Sequence, residues 1–413
     1  MLKIKIKKIF NTNQKAIKLS NYDFINYLDT SSITENYITN IQKLNVKKDN
    51  IPSRAKRLVK ENTIVYSSVR PNLKHYGIIR KPISNMVAST GFITLDIKDS
   101  KIYDVDYLYY NLTQEKYTKY LSIIANNSVS SYPSINPADI ENLEIEIEED
   151  INIQKKISKV LSVIDSKIEL NNKINSELEK IAKELYDYWF IQFEFPDKNN
   201  RPYKSNNGRM IYSPILKREI PIDWKVSKLK EECSIVLGGT PKTDNKEYWN
   251  GNINWLNSGE ISQFPVTKSE ATITDLGMNN SATTFMPKGT VVISITGNLR
   301  VSFLAIEACA NQSVVGILES HNIKKSYLYP SIKYMLDSYN YISTGNCQQH
   351  INKGIIEDTY IILPSRKILN EYYKSSEQIF NLIVKNELET QNLISIRDFL
   401  LPMLMNGQVK VID

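Results

Sequence analysis

The amino-acid sequence predicts an α+β fold, in which two similar α/β domains are joined by two long helices forming an antiparallel coiled coil with a pseudo-twofold internal repeat. Three observations lead to this prediction. The chain has 413 residues and matches itself at a shift near half its length. Each copy begins with β-branched runs separated by Gly, Pro and Asn, which is typical of strands and tight loops. Each copy ends in a long run with the apolar spacing of a helix.

The repeat consists of segments that match in the same order in both halves. The matched pairs are residues 26–33 with 254–261, 63–68 with 290–295, 72–74 with 298–300, 135–141 with 351–357, and 143–147 with 359–363. Ordered matches at similar offsets indicate a duplication with insertions in the loops.

The duplication divides the chain into six segments. They are residues 1–150, the first α/β domain; 151–195, a central helix; 196–218, a linker loop; 219–365, the second α/β domain; 366–406, a C-terminal helix; and 407–413, a tail. The first domain has no counterpart of the Ile-Pro-x-x-Trp entry at 220–224 or of the Gly-Gly-Thr-Pro turn at 238–241. We therefore expect the first domain to be shorter than the second.

Apolar residues three or four positions apart predict both helices. In the first copy they run from Ile157 to Tyr188, and neither Pro nor Gly interrupts the pattern before Pro196. The same pattern in the second copy ends at Asn406 and Gly407, a sequence suited to a helix cap. Because a helix with one apolar stripe must bury it against something, we expect the two helices to pair with each other.

One asparagine interrupts each apolar stripe, and the two occupy equivalent positions, Asn171 and Asn386. A buried Asn in a coiled-coil seam fixes register and orientation while lowering stability. We interpret the pair as register residues. Exposure on the helix surface at a slightly different phase is the alternative, and the sequence leaves both open.

The net charge of +7 is unevenly distributed along the chain. Residues 1–95 carry 17 basic and 5 acidic side chains, a surplus of +12, whereas residues 139–150 carry seven acids and neither Lys nor Arg. A local positive surplus attracts a polyanion by counterion release, and the acidic stretch is suited to solvent or a protein partner. A Lys-rich surface that only maintains solubility is the alternative.

Several protein classes are excluded by what the sequence lacks. It has no apolar run approaching 18 residues and no signal-peptide pattern at residues 1–8, so we expect a cytoplasmic protein without a membrane segment. Its three cysteines and three histidines show no metal-ligand spacing, which argues against a disulfide scaffold or a bound metal. No P-loop, methyltransferase, nuclease or hydrolase motif is complete, so we predict no catalytic residue.

Polar loops after the strand runs carry side chains suited to DNA. Arg reads guanine, and Asn or Gln reads adenine, through paired hydrogen bonds in the major groove. A second polar loop precedes the closing strand of each copy, and Lys242 follows the Gly-Gly-Thr-Pro turn as a candidate for phosphate contact. The predicted DNA-binding residues are Arg70, Asn72, Lys74, His75 and Ser134 in the first copy, and Lys242, Asn298, Arg300, Gln348, Gln349 and His350 in the second. Ordinary solvated loops are the alternative.

The order of these features resembles the DNA-specificity subunit of type I restriction-modification systems, over nearly the whole chain. The residues that carry the resemblance are 64–73 (IVYSSVRPNL), 184–190 (ELYDYWF) with Phe195-Pro196, 219–224 (EIPIDW), 238–241 (GGTP) and 400–407 (LLPMLMNG). The resemblance implies that the two α/β domains are target recognition domains, each reading one half of a split DNA target with a fixed spacer between the halves.

The resemblance also implies partners. A specificity subunit of this family is not itself an enzyme: it binds double-stranded DNA and docks two methyltransferase subunits, and a motor-nuclease subunit joins for restriction. S-adenosylmethionine, ATP and Mg would then be bound by those partners and not by this chain. Two rival interpretations remain, a coiled-coil adaptor protein with nonspecific DNA affinity and an enzyme whose site carries no recognised motif.

Overall fold

A computed structural model describes residues 1–13, 16–127, 132–344 and 351–411, with only the backbone described for 341–344. These residues form two compact units, one made of Met1–Glu169 with Asn392–Asp413 and the other of Leu170–Gln391. The unit boundaries fall inside the two long helices, so each unit contains one α/β domain and a part of each helix.

Among its described residues, the first unit contains twelve strands and all or part of six α-helices, the sixth being the end of the C-terminal helix. The strands are β1 (Leu2–Lys5), β2 (Phe10–Thr12), β3 (Phe24–Leu28), β4 (Ile33–Thr34), β5 (Tyr37–Ile38), β6 (Gln42–Asn45), β7 (Ala55–Leu58), β8 (Thr63–Ser67), β9 (Tyr76–Ile79), β10 (Met86–Ser89), β11 (Phe92–Ile97) and β12 (Glu144–Ile147). The helices are α1 (Ile6–Ile9), α2 (Val105–Leu112), α3 (Glu115–Asn126), α4 (Pro137–Glu141) and the start of α5 (Ile151–Tyr186).

Two four-stranded sheets form the body of this unit. One has the order β2-β11-β8-β9 and is antiparallel, and the other has the order β6-β3-β10-β7, in which β3 and β10 are parallel. All five residues of β8 are buried because its β-branched and aromatic side chains pack on both faces of the sheet. Strand β8 therefore lies in the interior, and this fixes the position of the segment that follows it.

Strand β1 pairs with β12 and brings the basic start of the chain against the acidic stretch. The antiparallel register sets Lys3 opposite Glu146 and Lys5 opposite Glu144. Lys3 Nζ lies 3.4 Å from a Glu146 carboxylate oxygen. Part of the basic surplus of residues 1–95 is thus balanced inside the unit by acids that the sequence alone left facing solvent or a partner.

The second unit contains the following elements. The strands are β13 (Met210–Ser213), β14 (Arg218–Pro221), β15 (Lys225–Lys228), β16 (Ile235–Leu237), β17 (Trp249–Leu256), β18 (Ala271–Ile273), β19 (Val291–Ser294), β20 (Val301–Phe303), β21 (Ala308–Ala310), β22 (Val314–Ile317) and β23 (Tyr360–Leu363). The helices are α6 (Leu229–Glu232), α7 (Asp275–Asn279), α8 (Lys325–Thr344), α9 (Lys353–Glu357) and α10 (Arg366–Met405), whose last turns belong to the first unit.

The strand order of the second unit repeats that of the first. Sheet β16-β22-β19-β20 has the order and antiparallel pairing of β2-β11-β8-β9. The parallel pair β17 and β21 corresponds to β3 and β10, and the antiparallel pair β15 and β23 corresponds to β1 and β12. The predicted duplication is therefore confirmed at the level of topology, and β1 is the counterpart of β15 in the domain expected to be shorter.

The segment predicted as a linker loop, residues 196–218, differs from that expectation. It contains strand β13, which pairs with β14 to form a hairpin. The physical reason is an aromatic cluster: Phe195 stacks on Trp224 with ring centres 4.8 Å apart and on Tyr203 with ring centres 4.6 Å apart. Burying these large rings stabilises the segment as part of the second unit.

The two long helices pair antiparallel within each unit. In the second unit, Asn171 bonds to Glu389 and Asn175 bonds to the carbonyl of Ile383, so later residues of α5 meet earlier residues of α10. In the first unit, Asp165 of α5 meets Arg397 of α10 at 3.2 Å. Helix α5 has 36 residues and α10 has 40, and Gly407 follows α10 with φ +70°, the conformation expected of a glycine cap.

Candidate nucleic-acid interface

The loop after β8 is anchored at both ends by a buried serine. The Ser67 hydroxyl donates to the carbonyl of Val69 at 2.9 Å and accepts from its amide at 3.2 Å. The amide of Ser67 donates to the carbonyl of His75 at 2.9 Å, which closes the loop. We call residues 68–75 the first strand-end loop.

The loop after β19 also closes on a buried serine, although this hydroxyl bonds the end of its loop and not the start. The Ser294 hydroxyl donates to the carbonyl of Asn298 at 3.0 Å and accepts from the amide of Arg300 at 2.8 Å. The amide of Ser294 donates to the carbonyl of Arg300 at 2.9 Å. We call residues 295–300 the second strand-end loop. Both domains therefore present a closed loop at the end of an equivalent, fully buried strand.

The second polar loop of the first copy meets its strand-end loop, and in the second copy the residue after the polar loop, Ile351, does so. In the first unit the amide of Ile135 donates to the carbonyl of Ser68 at 2.8 Å. The amide of Arg70 donates to the carbonyl of Pro133, and Ser134 forms a β-bridge with Val69. In the second unit the amide of Ile351 donates to the carbonyl of Ile295 at 3.1 Å. Arg70 and Ser134 are thus brought together, whereas Gln348, Gln349 and His350 lie outside the described residues.

Arg70 and Asn72 are the exposed polar residues at the front of the first strand-end loop. Arg70 has φ +47°, a conformation that costs about 1 to 3 kcal/mol for a side chain of this size. Its guanidinium lies over the ring of Tyr132 at 5.8 Å, and 63% of Tyr132 is exposed. Leu73 is also exposed, at 43%. An Arg held beside an aromatic ring at a loop tip is suited to contact with a base edge or phosphate.

Lys74 and His75 make their contacts within the unit. Lys74 Nζ lies 3.0 Å from Glu35 and 3.6 Å from Glu115. Burial by itself would lower the pKa of Lys74, but the hydrogen bond and charge of Glu35 raise it, so the side chain stays protonated. His75 Nδ1 lies 2.7 Å from the carbonyl oxygen of Ile33. The contacts hold both side chains against strand β4 and the turn that follows it, so a DNA contact by either stays a prediction.

The second strand-end loop exposes Asn298 and Arg300 and buries the residue between them. Leu299 is 8% exposed and packs in the main core of the unit. Gly297 has φ +66°, a conformation that favours glycine. Lys242 is exposed, and its carbonyl accepts a 3.1 Å hydrogen bond from Trp249 Nε1. Its backbone is therefore fixed while its side chain reaches the surface.

Comparison with known proteins decides the family. A family model described as the type I restriction modification DNA specificity domain matches residues 1–180 and 221–397. The chain belongs to this family. Each matched range of this DNA specificity protein contains one strand-end loop.

Two curated relatives align with this chain almost end to end. The type I restriction enzyme HindI specificity subunit of Haemophilus influenzae is 24% identical and covers 94% of this chain and 95% of its own. The MjaIX specificity subunit of Methanocaldococcus jannaschii is 26% identical, and the alignment covers 95% of this chain and 85% of the relative. The solved S subunit of a type I restriction-modification system from M. genitalium shares the fold, with a TM-score of 0.57, 16% identity, and 98% and 96% of the two chains covered.

Three asparagines of the long helices differ in their burial within the second unit. Asn171 is 1% exposed and donates to Glu389 at 2.9 Å. Asn175, four residues later, is also buried and donates to the carbonyl of Ile383 at 3.2 Å. Asn386 is half-buried. The buried pair is therefore Asn171 and Asn175; the sequence signal for Asn175 was its spacing of one helical turn from Asn171.

A charged cluster in the first unit joins residues that are far apart in the sequence. Arg397 of α10 lies 3.2 Å from Asp165, 2.9 Å from Asp398 and 3.9 Å from Glu35, with 15% of its side chain exposed. Tyr110 donates to Asp165 at 2.6 Å. Burial opposes the charge of Arg397, but Asp165 and Asp398 raise its pKa, so it remains a cation. We call Glu35, Lys74, Glu115, Asp165, Arg397 and Asp398 the Arg397 cluster; they line a cavity of about 330 Å³.

Among the residues that the structure describes, no group of three or more His, Cys, Asp and Glu side chains could hold a metal ion. Burial raises the pKa of the Cys233 thiol to about 12, so the thiolate is scarce near neutral pH. Within the same residues, no helix combines the length and apolar character of a membrane span.

Proposed function

We propose that this chain is the DNA-reading subunit of a type I restriction-modification complex and recognises a target in two halves. One observation carries the proposal: equivalent buried strands in the two units end in equivalent serine-anchored loops with different side chains. A duplicated scaffold with unlike loops is suited to reading two different short sequences.

The base-reading chemistry belongs to the exposed residues of these loops. Arg70 with Asn72, and Asn298 with Arg300, each combine a side chain suited to guanine with one suited to adenine. Ser134 lies beside Arg70 and adds a hydroxyl that accepts or donates. Lys242 supplies a cation for the phosphate backbone, which fixes position without reading sequence.

The paired helices are proposed to set the spacing between the half-sites. Helix α5 has 36 residues, a length of about 54 Å at 1.5 Å per residue. Antiparallel pairing within each unit gives both helices a defined register. The length of the paired helices would then fix the number of unread base pairs between the two half-sites.

The helices also offer surfaces for protein partners. Val163, Ile174 and Ile181 of α5 and Leu382 and Ile396 of α10 are exposed apolar residues, between 38% and 53% accessible. Apolar side chains left on the outside of a paired helix mark a docking surface. We propose that two methyltransferase subunits dock here, that a motor-nuclease subunit joins them, and that S-adenosylmethionine, ATP and Mg are bound by those partners while this chain performs no chemistry.

The reading function is tested by mapping methylated sites. The full chain, its methyltransferase partner and S-adenosylmethionine are incubated with genomic DNA, and the modified bases are located by sequencing. We expect all modified sites to share two short half-sites at one spacing. Binding with a steep salt dependence and no common sequence would instead favour a coiled-coil adaptor with nonspecific DNA affinity.

The spacing function has its own test. Inserting one heptad into each helix, so that the Asn171 and Asn175 contacts keep their partners, lengthens the pair by about 10 Å, or about three base pairs. The half-sites should remain the same while the spacer grows. An unchanged spacer would show that the helices do not set the distance.

A further inference from the structure

We propose that Arg397 of α10, acting through Glu35, positions the first strand-end loop for recognition of its half-site. Arg397 is a positioning residue in this proposal and does not contact DNA. The proposal rests on the function proposed above for that loop, and it adds a residue more than three hundred positions away in the sequence to the determinants of specificity.

The first link joins Arg397 to the turn between β4 and β5. Arg397 Nη2 lies 3.9 Å from the Glu35 carboxylate. Glu35 and Asn36 form the turn with φ +43° and +70°, conformations that surrounding contacts must hold in place. The amide of Asn36 donates to the carbonyl of Tyr76 at 2.9 Å, and its side-chain oxygen accepts from the amide of Ile78. The turn is therefore attached to the strand that follows the loop.

The second link joins the turn to the loop at two points on the same residue. The Glu35 carboxylate lies 3.0 Å from Lys74 Nζ, and the Glu35 amide donates to the Lys74 carbonyl at 3.0 Å. Lys74 has φ +55°, and the preceding amide of Leu73 donates to the carbonyl of Arg70 at 2.9 Å. A shift of Glu35 would consequently move Lys74, and with it the backbone of Arg70.

Arg397 has two acidic partners besides Glu35, and the loop end of this chain of contacts lies beside a cavity. Arg397 is held by Asp165, itself fixed by Tyr110, and by Asp398 on its own helix. The cavity of about 330 Å³ beside Lys74 and Arg397 leaves space into which the loop could relax. Loss of one ion pair in this cluster would therefore change the position of the loop while Asp165 and Arg397 still hold the helices together.

The test compares variants of the full chain, together with its methyltransferase partner, on a randomised duplex library. Glu35→Gln removes the middle charge, keeps the side-chain shape and leaves the ion pair between Arg397 and Asp165 in place, whereas Arg397→Met removes the anchor together with its ion pairs to Asp165 and Asp398. We expect both to reduce discrimination at the first half-site by about fivefold to tenfold and to leave the second half-site within about twofold. Arg397→Lys keeps a cation and should restore most of the lost discrimination.

A matched control breaks an ion pair in the other unit. Lys333→Met removes one of the two partners of Glu179, leaving the Tyr329 hydroxyl, and should alter neither half-site. Amide hydrogen exchange without DNA gives an independent readout: Glu35→Gln should accelerate exchange at Leu73 and Lys74 and leave Arg300 unchanged. Equal loss at both half-sites, or unchanged exchange in the loop, would overturn the positioning role. Faster loop exchange in a chain whose wild type shows no sequence preference would instead uphold the positioning and refute the proposed function.

Discussion

The two strand-end loops begin from the same buried serine and are stabilised by different forces. The first is longer and exposes Leu73, and it is held by the ion pairs of Lys74 with Glu35 and Glu115. The second is shorter and buries Leu299 in the core of its domain. The duplicated scaffold thus preserves where a loop starts and ends, while the means of holding the loop, and the side chains it shows, have diverged.

This comparison predicts opposite outcomes for the same substitution at aligned leucines. Leu299→Ala removes a buried side chain and should cost the second unit about 2 to 5 kcal/mol of unfolding free energy. Leu73→Ala removes an exposed side chain and should change the stability of the first unit by less than about 0.5 kcal/mol. Hydrogen exchange of amides in β19 and β8 under increasing urea reports each unit separately. Equal effects would show that the two loops are held alike.

The exposed arginines should separate the half-sites. Arg70→Ala and Arg300→Ala are each expected to cost about 1 to 3 kcal/mol of binding free energy at one half-site, and not at the other, if each contacts a base edge. Competition binding with duplexes mutated in one half at a time measures this. Should either variant weaken every duplex equally, that arginine contacts phosphate and another residue reads the base.

The shared serines should behave alike in both units. Ser67→Ala and Ser294→Ala each leave a loop amide and carbonyl without the hydroxyl that they bond, at a cost of about 1 to 3 kcal/mol for each unit. Urea unfolding followed by hydrogen exchange in the same strands gives both values. A cost confined to one unit would mean that the serine anchor is not the common feature of the repeat.

The sequence was sufficient for the features that depend on local pattern. The two long helices and the position of the loops follow from helical spacing and β-branched runs among neighbouring residues, and the duplication follows from matching such local patterns between the two halves. The β13–β14 hairpin was missed because the polar turn residues at 196–218 give no sign of the ring contacts that Phe195 makes with Tyr203 and Trp224. Its strands are also short, so no alternation is visible.

The Arg397 cluster was beyond the reach of sequence patterns for a different reason. Its members come from a strand turn, a strand-end loop and three helices, and the ion pairs that join them span up to 362 positions, from Glu35 to Arg397. No periodicity links such residues. The pairing of Lys3 with Glu146 was hidden in the same way, because opposite charges at two distant segments reveal nothing until the strands are known to be neighbours.

The smallest expected effect concerns Lys242, which tests whether the domains contain residues that bind DNA without reading it. Its side chain is exposed beside a turn fixed by Gly239, where an added Cβ would lie 2.5 Å from the backbone of Ala282 and Thr283.

Because a phosphate contact releases one counterion, Lys242→Ala should lower the slope of log affinity against log salt by about one and weaken all sequences to the same degree. Titrations at several salt concentrations with target and scrambled duplexes measure both quantities. Arg300→Ala serves as the contrasting variant, since it should alter the preferred sequence in the same unit. A changed base preference in Lys242→Ala would place this lysine among the residues that read the second half-site.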